Sequence, residues 1–400
     1  MIVAQLSLTD FRNYANADVA LHPGANLFVG SNGQGKTNLV EALGYLSTLG
    51  SHRVSTEHAM IRTGCDAAII RAQLAHGDRQ VLVEVQLNRT GANRAQVNRS
   101  AIKTRQLPRY FSSVLFAPED LALVRGEPSG RRRFLDELLI LRTPRFSGVM
   151  ADYDRVLKQR NTLLKSARAS GIKGVQLTTL EIWDERLVAL GSELIEARTT
   201  LVAELLPEVA LAYERIAGED QHATLANQLS VLGADPDASG QAENAGSFGV
   251  VSAADAASAF RTSLKRLRVG ELDRGITLVG PHRDDLVLHL NDLPARGYAS
   301  HGESWSFALA LKLASAAVLR RESASGDPVM ILDDVFAELD ESRRGRLAAA
   351  ISGFEQVLIT AAVFDDVPAG LRENTVRISA GVIGESETAE IPDGAIEDGS

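Results

Sequence analysis

The chain carries one cysteine, Cys65, in 400 residues. That excludes a disulfide framework and a cysteine-based metal cluster, and it fits a reducing cytoplasm. No apolar stretch approaches membrane-spanning length, so no membrane partner is expected. The opening MIVAQLSLTDFRNY lacks a basic leader and its apolar run is broken by Asp10, so it reads as a strand and not as a signal peptide. An excess of positive charge is missing too. A net charge of -9 argues against coating nucleic acid non-specifically, although a local basic face can still dominate a binding site. What is present, 45% hydrophobic and 23% charged residues, describes a soluble globular chain with room for roughly two or three domains.

Strand signals crowd the first hundred or so residues: MIVAQLSL, ANLFVG, AAIIRAQLA and QVLVEVQLN run apolar or alternate between Gly, Asn and Asp breakers. A helix interrupts them after Thr37. From about Arg145 to Gly218 the apolar residues fall at helical steps, with Tyr153, Val156 and Leu163 before a Gly/Ser-rich reversal and Leu180, Trp183, Leu187, Leu194, Leu201 and Leu205 after it. That spacing predicts an antiparallel helical hairpin. The stretch 233–249, rich in Gly, Ala and Asp, reads as a mobile insertion. Strands are expected again at GITLVG, LVLHL and PVMILDD, and 381–400 reads as a disordered acidic tail.

The chemistry starts at VGSNGQGKT. Gly30, Ser31, Asn32, Gly33, Gln34, Gly35, Lys36 and Thr37 fit GxxxxGK(S/T), between the apolar strand NLFV and the helical NLVEALGYL. Glycines let backbone N–H groups curl round phosphates, Lys36 offers a point charge to the terminal phosphates, and Thr37 offers a hydroxyl to Mg²⁺. The expected ligand is ATP or GTP. PVMILDDVFAELD supplies the carboxylates: Asp333 would hold Mg²⁺ through water, and Asp334 would polarise the attacking water. A second anion site is suggested by ASHGESWSFALALKLA (299–314), where Gly302 and short polar residues open an apolar helix.

Arg94, Arg99, Lys103 and Arg105 lie in a stretch (89–109) without one acid. A hairpin turning at Asn98-Arg99 would present several of them to phosphate oxygens, with a merely solvated basic hairpin as the plainer alternative. RRR (131–133) and LKRLR (264–268) extend the same argument weakly. GPHRDD groups His282, Asp284 and Asp285, but adjacent residues on a tight turn seldom all face one ion, so a turn between two strands is expected there.

Taken together, FRNY (11–14), GSNGQGKT, FAPEDLALVRGEPSGRRRFLD (116–136), LKQRN (157–161), TLVGPHRDD (277–285) and ILDDVFAELD resemble the RecF family of bacterial recombination mediators, in the same order along the chain. The resemblance implies an α/β fold, an ABC/SMC-type P-loop ATPase head split in sequence with an inserted helical lobe. The halves of the head are expected at 1–143 and 271–380, with the lobe at 144–270. It also implies that the nucleotide, ATP, is shared by an ATP-dependent homodimer: Ser300 and Gly302 would face the γ-phosphate held by the partner's P-loop, Asp340 would cross the seam, and Arg12 would line the nucleotide pocket. Two positions depart from the ABC-type pattern. Glu303 stands where Gln is usual, which puts an acid close to phosphate and would weaken closure or lean on Arg pairing; Asp334, of shorter reach, stands where Glu is usual, which points to slow hydrolysis. Thr360 stands in for a missing switch histidine as a contact to the γ-phosphate. The implied function is ATP-dependent binding of gapped or junction DNA in repair, replication and the SOS response, loading RecA with RecR and RecO in the cytoplasm. A P-loop kinase, a transporter ATPase subunit and a long SMC-like clamp are the rivals, and the length of the predicted hairpin tells against the last.

Overall fold

A computed structural model describes residues 1–77, 79–170, 178–218, 220–233, 249–323 and 326–388. Their contacts divide the chain into two compact units, Met1–Pro118 with Ala324–Ser400, and Glu119–Ser323. These bounds differ from the divisions expected near 143 and 271, because the residues on either side of the helical run pack with it.

In the first unit the chain forms β1 (Ile2–Phe11), β2 (Tyr14–Ala20), β3 (Gly24–Val29), α1 (Lys36–Thr48), β4 (Ala67–His76), β5 (Arg79–Asn88), β6 (Arg94–Val97), β7 (Ser100–Ile102) and β8 (Ser113–Phe116). Strands 1, 2 and 4 to 7 make an antiparallel sheet in the order β2-β1-β4-β5-β6-β7. The second unit holds α2 (Leu121–Arg125), α3 (Pro128–Arg142), α4 (Phe146–Ala169), α5 (Thr178–Ala217), β9 (Ala223–Gln228), α6 (Ala253–Arg274), β10 (Asp285–Leu290), β11 (Leu293–Pro294), the short turn α7 (Ala295–Tyr298) and α8 (His301–Glu322). The chain then completes the first unit with β12 (Val329–Asp333), α9 (Glu341–Ile351), β13 (Gln356–Ala361), β14 (Asn374–Ser379) and β15 (Val382–Thr388).

The second sheet of the first unit, β15-β14-β3-β13-β12-β8, is parallel except for β15. Its central strands are buried along their length, as parallel strands covered on both faces must be. One core joins the two sheets through α1, with Leu6, Leu8, Ile70 and Val85 from one sheet, Leu39, Leu43 and Leu46 from the helix, and Ile331 and Leu358 from the other sheet. Residues distant in sequence are therefore needed to complete a single sheet.

The second unit corrects three expectations. The helical run is not a plain two-helix hairpin: α6 packs on both α4 and α5, and Phe260 and Leu264 share a core with Tyr153 and Leu187. The segment GITLVG is not a strand. Its backbone groups bond to side chains instead, Thr277 N to Asn161 Oδ1 at 2.8 Å and Leu278 N to Glu271 Oε1 at 2.9 Å. GPHRDD accordingly joins no strand pair; it forms a short 3-10 turn leading into β10. The acidic tail is corrected in part, since residues 382–388 form β15 and pair with β14. Its remainder, and residues 234–248 of the expected insertion, lie outside the described residues.

Candidate functional site

The loop between β3 and α1 is built for close backbone approach. Gly33 and Gly35 have φ of 80° and 117°, which a side chain tolerates poorly, and a Cβ at Gly35 would fall 2.6 Å from Tyr14 Oη. Gly30 is fixed by crowding instead, because a Cβ there would meet the Ile378 carbonyl oxygen at 2.1 Å. Asn13 secures the loop from the side, with Nδ2 donating to Gln34 O at 3.2 Å and Oδ1 accepting from Asn38 Nδ2 at 2.7 Å. Ser31 and Asn32 at the start of the loop are exposed, yet both lend acceptors to the ammonium: Lys36 Nζ donates to Gly30 O at 2.8 Å, to Ser31 O at 3.4 Å and to Asn32 Oδ1 at 3.5 Å. The ammonium thus sits over the curl of the loop, at 3% exposure for the residue.

Thr37 and Asp333, far apart in sequence, meet directly: Thr37 Oγ1 donates to Asp333 Oδ1 at 3.0 Å. Thr360 Oγ1 donates to the same oxygen at 2.6 Å and accepts from Asp334 N at 2.9 Å. The hydroxyl expected to reach a γ-phosphate is engaged with the Asp333 carboxylate and the Asp334 backbone N–H. Asp334 has a φ of 51°, unusual for a non-glycine residue. Burial raises its pKa above the ordinary carboxylate value, Asp333 adds to this, and Lys36 opposes it. A carboxylate of raised basicity suits proton acceptance from water.

Three buried polar atoms near this loop have no hydrogen-bond partner among the described residues: Tyr14 Oη, His52 Nε2 and Asp334 Oδ1. Buried polar atoms are normally satisfied, and orphans gathered round a glycine-rich cradle and a carboxylate pair fit a polyphosphate with its cation. Of this chain's residues, Lys36 and the loop amides would hold the phosphates, and Thr37 and Asp333 the cation. Bound Mg²⁺ would supply charge neutralisation at the phosphates.

From this end of α1 a polar stripe runs along one face, at Thr37, Glu41 and Tyr45. Glu41 takes both Arg12 Nε, at 2.8 Å, and Ser51 Oγ, and Arg12 Nη1 donates to Ala59 O at 2.9 Å. Arg12 is thus engaged inside its own unit. Tyr45 Oη donates to Glu57, whose other oxygen accepts from Asn93 Nδ2 at the base of the basic hairpin.

That hairpin forms where the sequence placed it. Val97 pairs with Ser100, and Asn98 and Arg99 take φ of 49° and 66° in a tight reversal. Arg94, Arg99, Lys103 and Arg105 are all exposed. The weaker candidates differ. Arg131 is buried on Asp285, Arg132 donates to Asp284 O, and Arg133 pairs with Glu137, so RRR stabilises the second unit.

In that unit Ser300 is the N-cap of α8. Its Oγ accepts from Glu303 N at 3.3 Å while its own N–H donates to Glu303 Oε2 at 2.7 Å, a complete capping box. Glu303 also accepts from Gln221 Nε2. Gly302 lies within the first turn, and Trp305 and Leu309 are buried behind it. Asp340, in the first unit, caps α9 through Arg343 N at 2.9 Å, with its side chain 59% exposed.

Sequence reasoning missed His52 and Arg53. Arg53 Nη1 donates to Asn38 Oδ1 at 2.9 Å beside the loop, and His52 Nε2 stands 3.7 Å from Asp333 Oδ2. No spacing rule flags a histidine in the segment following a helix. Sequence reasoning also missed the roles of Arg160 and Asn161 in LKQRN. Arg160, with no exposed surface, bonds Asp184, Thr277 and Glu271, and so organises the second unit.

Residues 2–381 match the model of the RecF/RecN/SMC N-terminal domain. A DNA replication and repair protein RecF from Clavibacter sepedonicus is 66% identical over 97% of this chain and 96% of its own length. The same-named protein of Leifsonia xyli subsp. xyli is 64% identical over 96% and 99%. Among solved structures, the recombination mediator protein RecF with ATP, of the RecFOR pathway, matches with a TM-score of 0.82 at 26% identity, covering 96% of this chain and 99% of that one. An Smc head bound to the C-terminal winged-helix domain of ScpA shares the fold, with a TM-score of 0.55 at 14% identity over 98% of each chain. The sheet split between distant segments, the P-loop and the inserted helices are those of an ABC/SMC-type ATPase head, and the chain belongs to the RecF family.

Proposed function

We propose that this chain is an ATP-switched DNA-binding recombination mediator. ATP and Mg²⁺ occupy the cradle of Lys36, Thr37 and Asp333, with Asp334 as the base for a slow hydrolysis. ATP-bound chains pair as a homodimer in which Ser300, Gly302 and Asp340 of one chain meet the nucleotide of the other. Arg94, Arg99, Lys103 and Arg105 of the two hairpins then contribute to one basic surface for gapped or junction DNA, and the complex works with RecR and RecO to load RecA in the cytoplasm.

The observation that carries this reading is the convergence of Thr37, Asp333 and Thr360 beside a glycine loop whose neighbouring buried polar atoms are unsatisfied. The decisive experiment is sedimentation with and without ATP for the wild type, Lys36→Ala and Ser300→Arg, paired with DNA binding at two salt concentrations. The expected result is an ATP-dependent dimer in the wild type alone, whose DNA affinity rises with ATP and falls steeply with salt. Normal dimerisation of Ser300→Arg would reject the assignment across the seam, and DNA affinity indifferent to nucleotide and salt would reject the switch.

A further inference from the structure

The residues following α1 do not leave the nucleotide loop but fold back along the helix. Ser51 Oγ is tied to Glu41 and supports the backbone of Arg53 at 3.0 Å, while Arg53 reaches Asn38. Between them, His52 points its Nε2 at Asp333. Both side chains are largely covered, at 15% and 4% exposure.

Asp333 uses its two oxygens differently. Oδ1 accepts the hydroxyls of Thr37 and Thr360, and Oδ2 faces His52 Nε2 across 3.7 Å. That gap is too long for a hydrogen bond. It is also shorter than the spacing of two atoms bridged by one water, about 4.6 Å for bonds of about 2.8 Å at the near-tetrahedral angle of the water. Two donors each about 2.1 Å from one cation lie about 3 Å apart at a right angle and about 4.2 Å apart when opposed. The observed spacing is about 0.7 Å longer than the right-angle value of an octahedral site, a gap that closing on a cation would take up, and Nε2 is a buried atom that no other group satisfies among the described residues.

We propose that His52 Nε2 is a ligand of the nucleotide's divalent cation, beside Thr37 Oγ1 and Asp333 Oδ2. The inference rests on the nucleotide reading above and names a donor that reading lacks. No cluster of three or more His, Cys, Asp and Glu side chains suited to a metal occurs among the described residues, so phosphate oxygens and water fill the remaining positions. An imidazole nitrogen in place of one oxygen favours Mn²⁺ over Mg²⁺, because nitrogen ligands suit the later, softer divalent ions.

The test uses the full chain labelled with ¹⁵N in histidine only, loaded with Mn²⁺ and the β,γ-methylene analogue of ATP, and read by pulsed EPR. The expected result is a ¹⁵N coupling of a directly bound imidazole in the wild type, lost in His52→Gln. In that variant Mn²⁺ affinity falls roughly tenfold while Mg²⁺ affinity changes less than about threefold. Bound Mn²⁺ and analogue without any histidine coupling in the wild type would overturn this assignment and leave the nucleotide reading standing. Failure of the analogue to bind in equilibrium dialysis would overturn both. The wild-type spectrum decides the question even if the variant folds poorly.

Discussion

The starts of α1 and α8 are both glycine-containing helix N-termini, yet their own chain treats them in opposite ways. At α1 the N-cap is Gly35, no side chain caps the helix, and the first turn has no acid. At α8 Ser300 and Glu303 close a full capping box, and the Glu303 carboxylate already occupies the N-cap amide. A helix N-terminus attracts anions through its unpaired N–H groups and its dipole. The first start leaves that attraction for a ligand; the second has used much of it on itself. A phosphate arriving at α8 must therefore displace Glu303 or share the site with it, whereas one arriving at α1 meets no internal competitor. The contrast holds for the two helix starts and not for the units as wholes. In the second unit LKQRN goes to internal pairs such as Arg160 with Asp184 and Glu271, yet Asp284 Oδ2 of GPHRDD and Ser306 Oγ of α8 are buried without a hydrogen-bond partner among the described residues, as are Tyr14 Oη, His52 Nε2 and Asp334 Oδ1 in the first.

The largest effect is expected from closing the open start. Gly35→Ala forces a side chain into a φ of 117° and onto Tyr14 and Asn13. It should destabilise the fold by about 2 to 4 kcal/mol in urea unfolding and remove nucleotide binding. A stable variant that still binds ATP would break the contrast at its stronger end.

Next comes the self-contained second unit. Burial raises the Asp284 pKa to about 6, although Ser230 N and Oγ both donate to the carboxylate at 2.8 Å. Burial also lowers the His282 pKa to about 3, with Tyr153 Oη 2.7 Å from its Nδ1. As pH rises from 3.8 to about 6 the unfolded Asp284 gives up its proton first, so this group lowers stability with rising pH. As pH falls from 6.5 towards about 3 the unfolded His282 takes up a proton first, so this group raises stability with rising pH. The slopes oppose each other between about pH 4 and 6, and the pair makes the wild type nearly flat there. Asp284→Asn should uncover the histidine slope, a gain of about 1.4 kcal/mol per pH unit over that interval in unfolding titrations.

A smaller change sharpens the comparison at α8 itself. Glu303→Gln keeps a side-chain acceptor for the capping box but removes the competing charge, so the ATP-dependent dimer should tighten by about 1 kcal/mol, roughly fivefold in sedimentation. Unchanged or weaker association would show that the carboxylate does not compete. Smallest is Arg99→Ala at the hairpin tip, expected to reduce the log–log salt slope of DNA binding by about 0.9 if it meets one phosphate.

Much of the first unit was legible from local pattern. The P-loop spacing, the strand runs and the reversal at Asn98-Arg99 depend on residues near each other in sequence, and each formed as read. The misses share one cause. GITLVG looks like a strand because its apolar residues are right, but no partner strand is offered among the described residues and side chains from α4 and α6 take its backbone bonds. Thr360 looked free to meet a ligand until β13 was laid beside β12 and placed its hydroxyl on Asp333. The third helix of the lobe was hidden because α6 presents a thin apolar stripe, with Phe260 and Leu264 among many polar residues.

What the sequence determined by itself is the set of local conformations: glycines where the loop needs positive φ or close approach, a Ser-x-x-Glu helix start, an Asn-Arg turn. These follow from steric limits and hydrogen bonds within a few residues. Tertiary structure alone decided which polar groups would be left open and which would be paired, bringing His52 to Asp333 and Arg160 to Glu271 from distant parts of the chain. The reason is that satisfying a buried donor or acceptor depends on its neighbours in space, which no period or spacing along a sequence specifies.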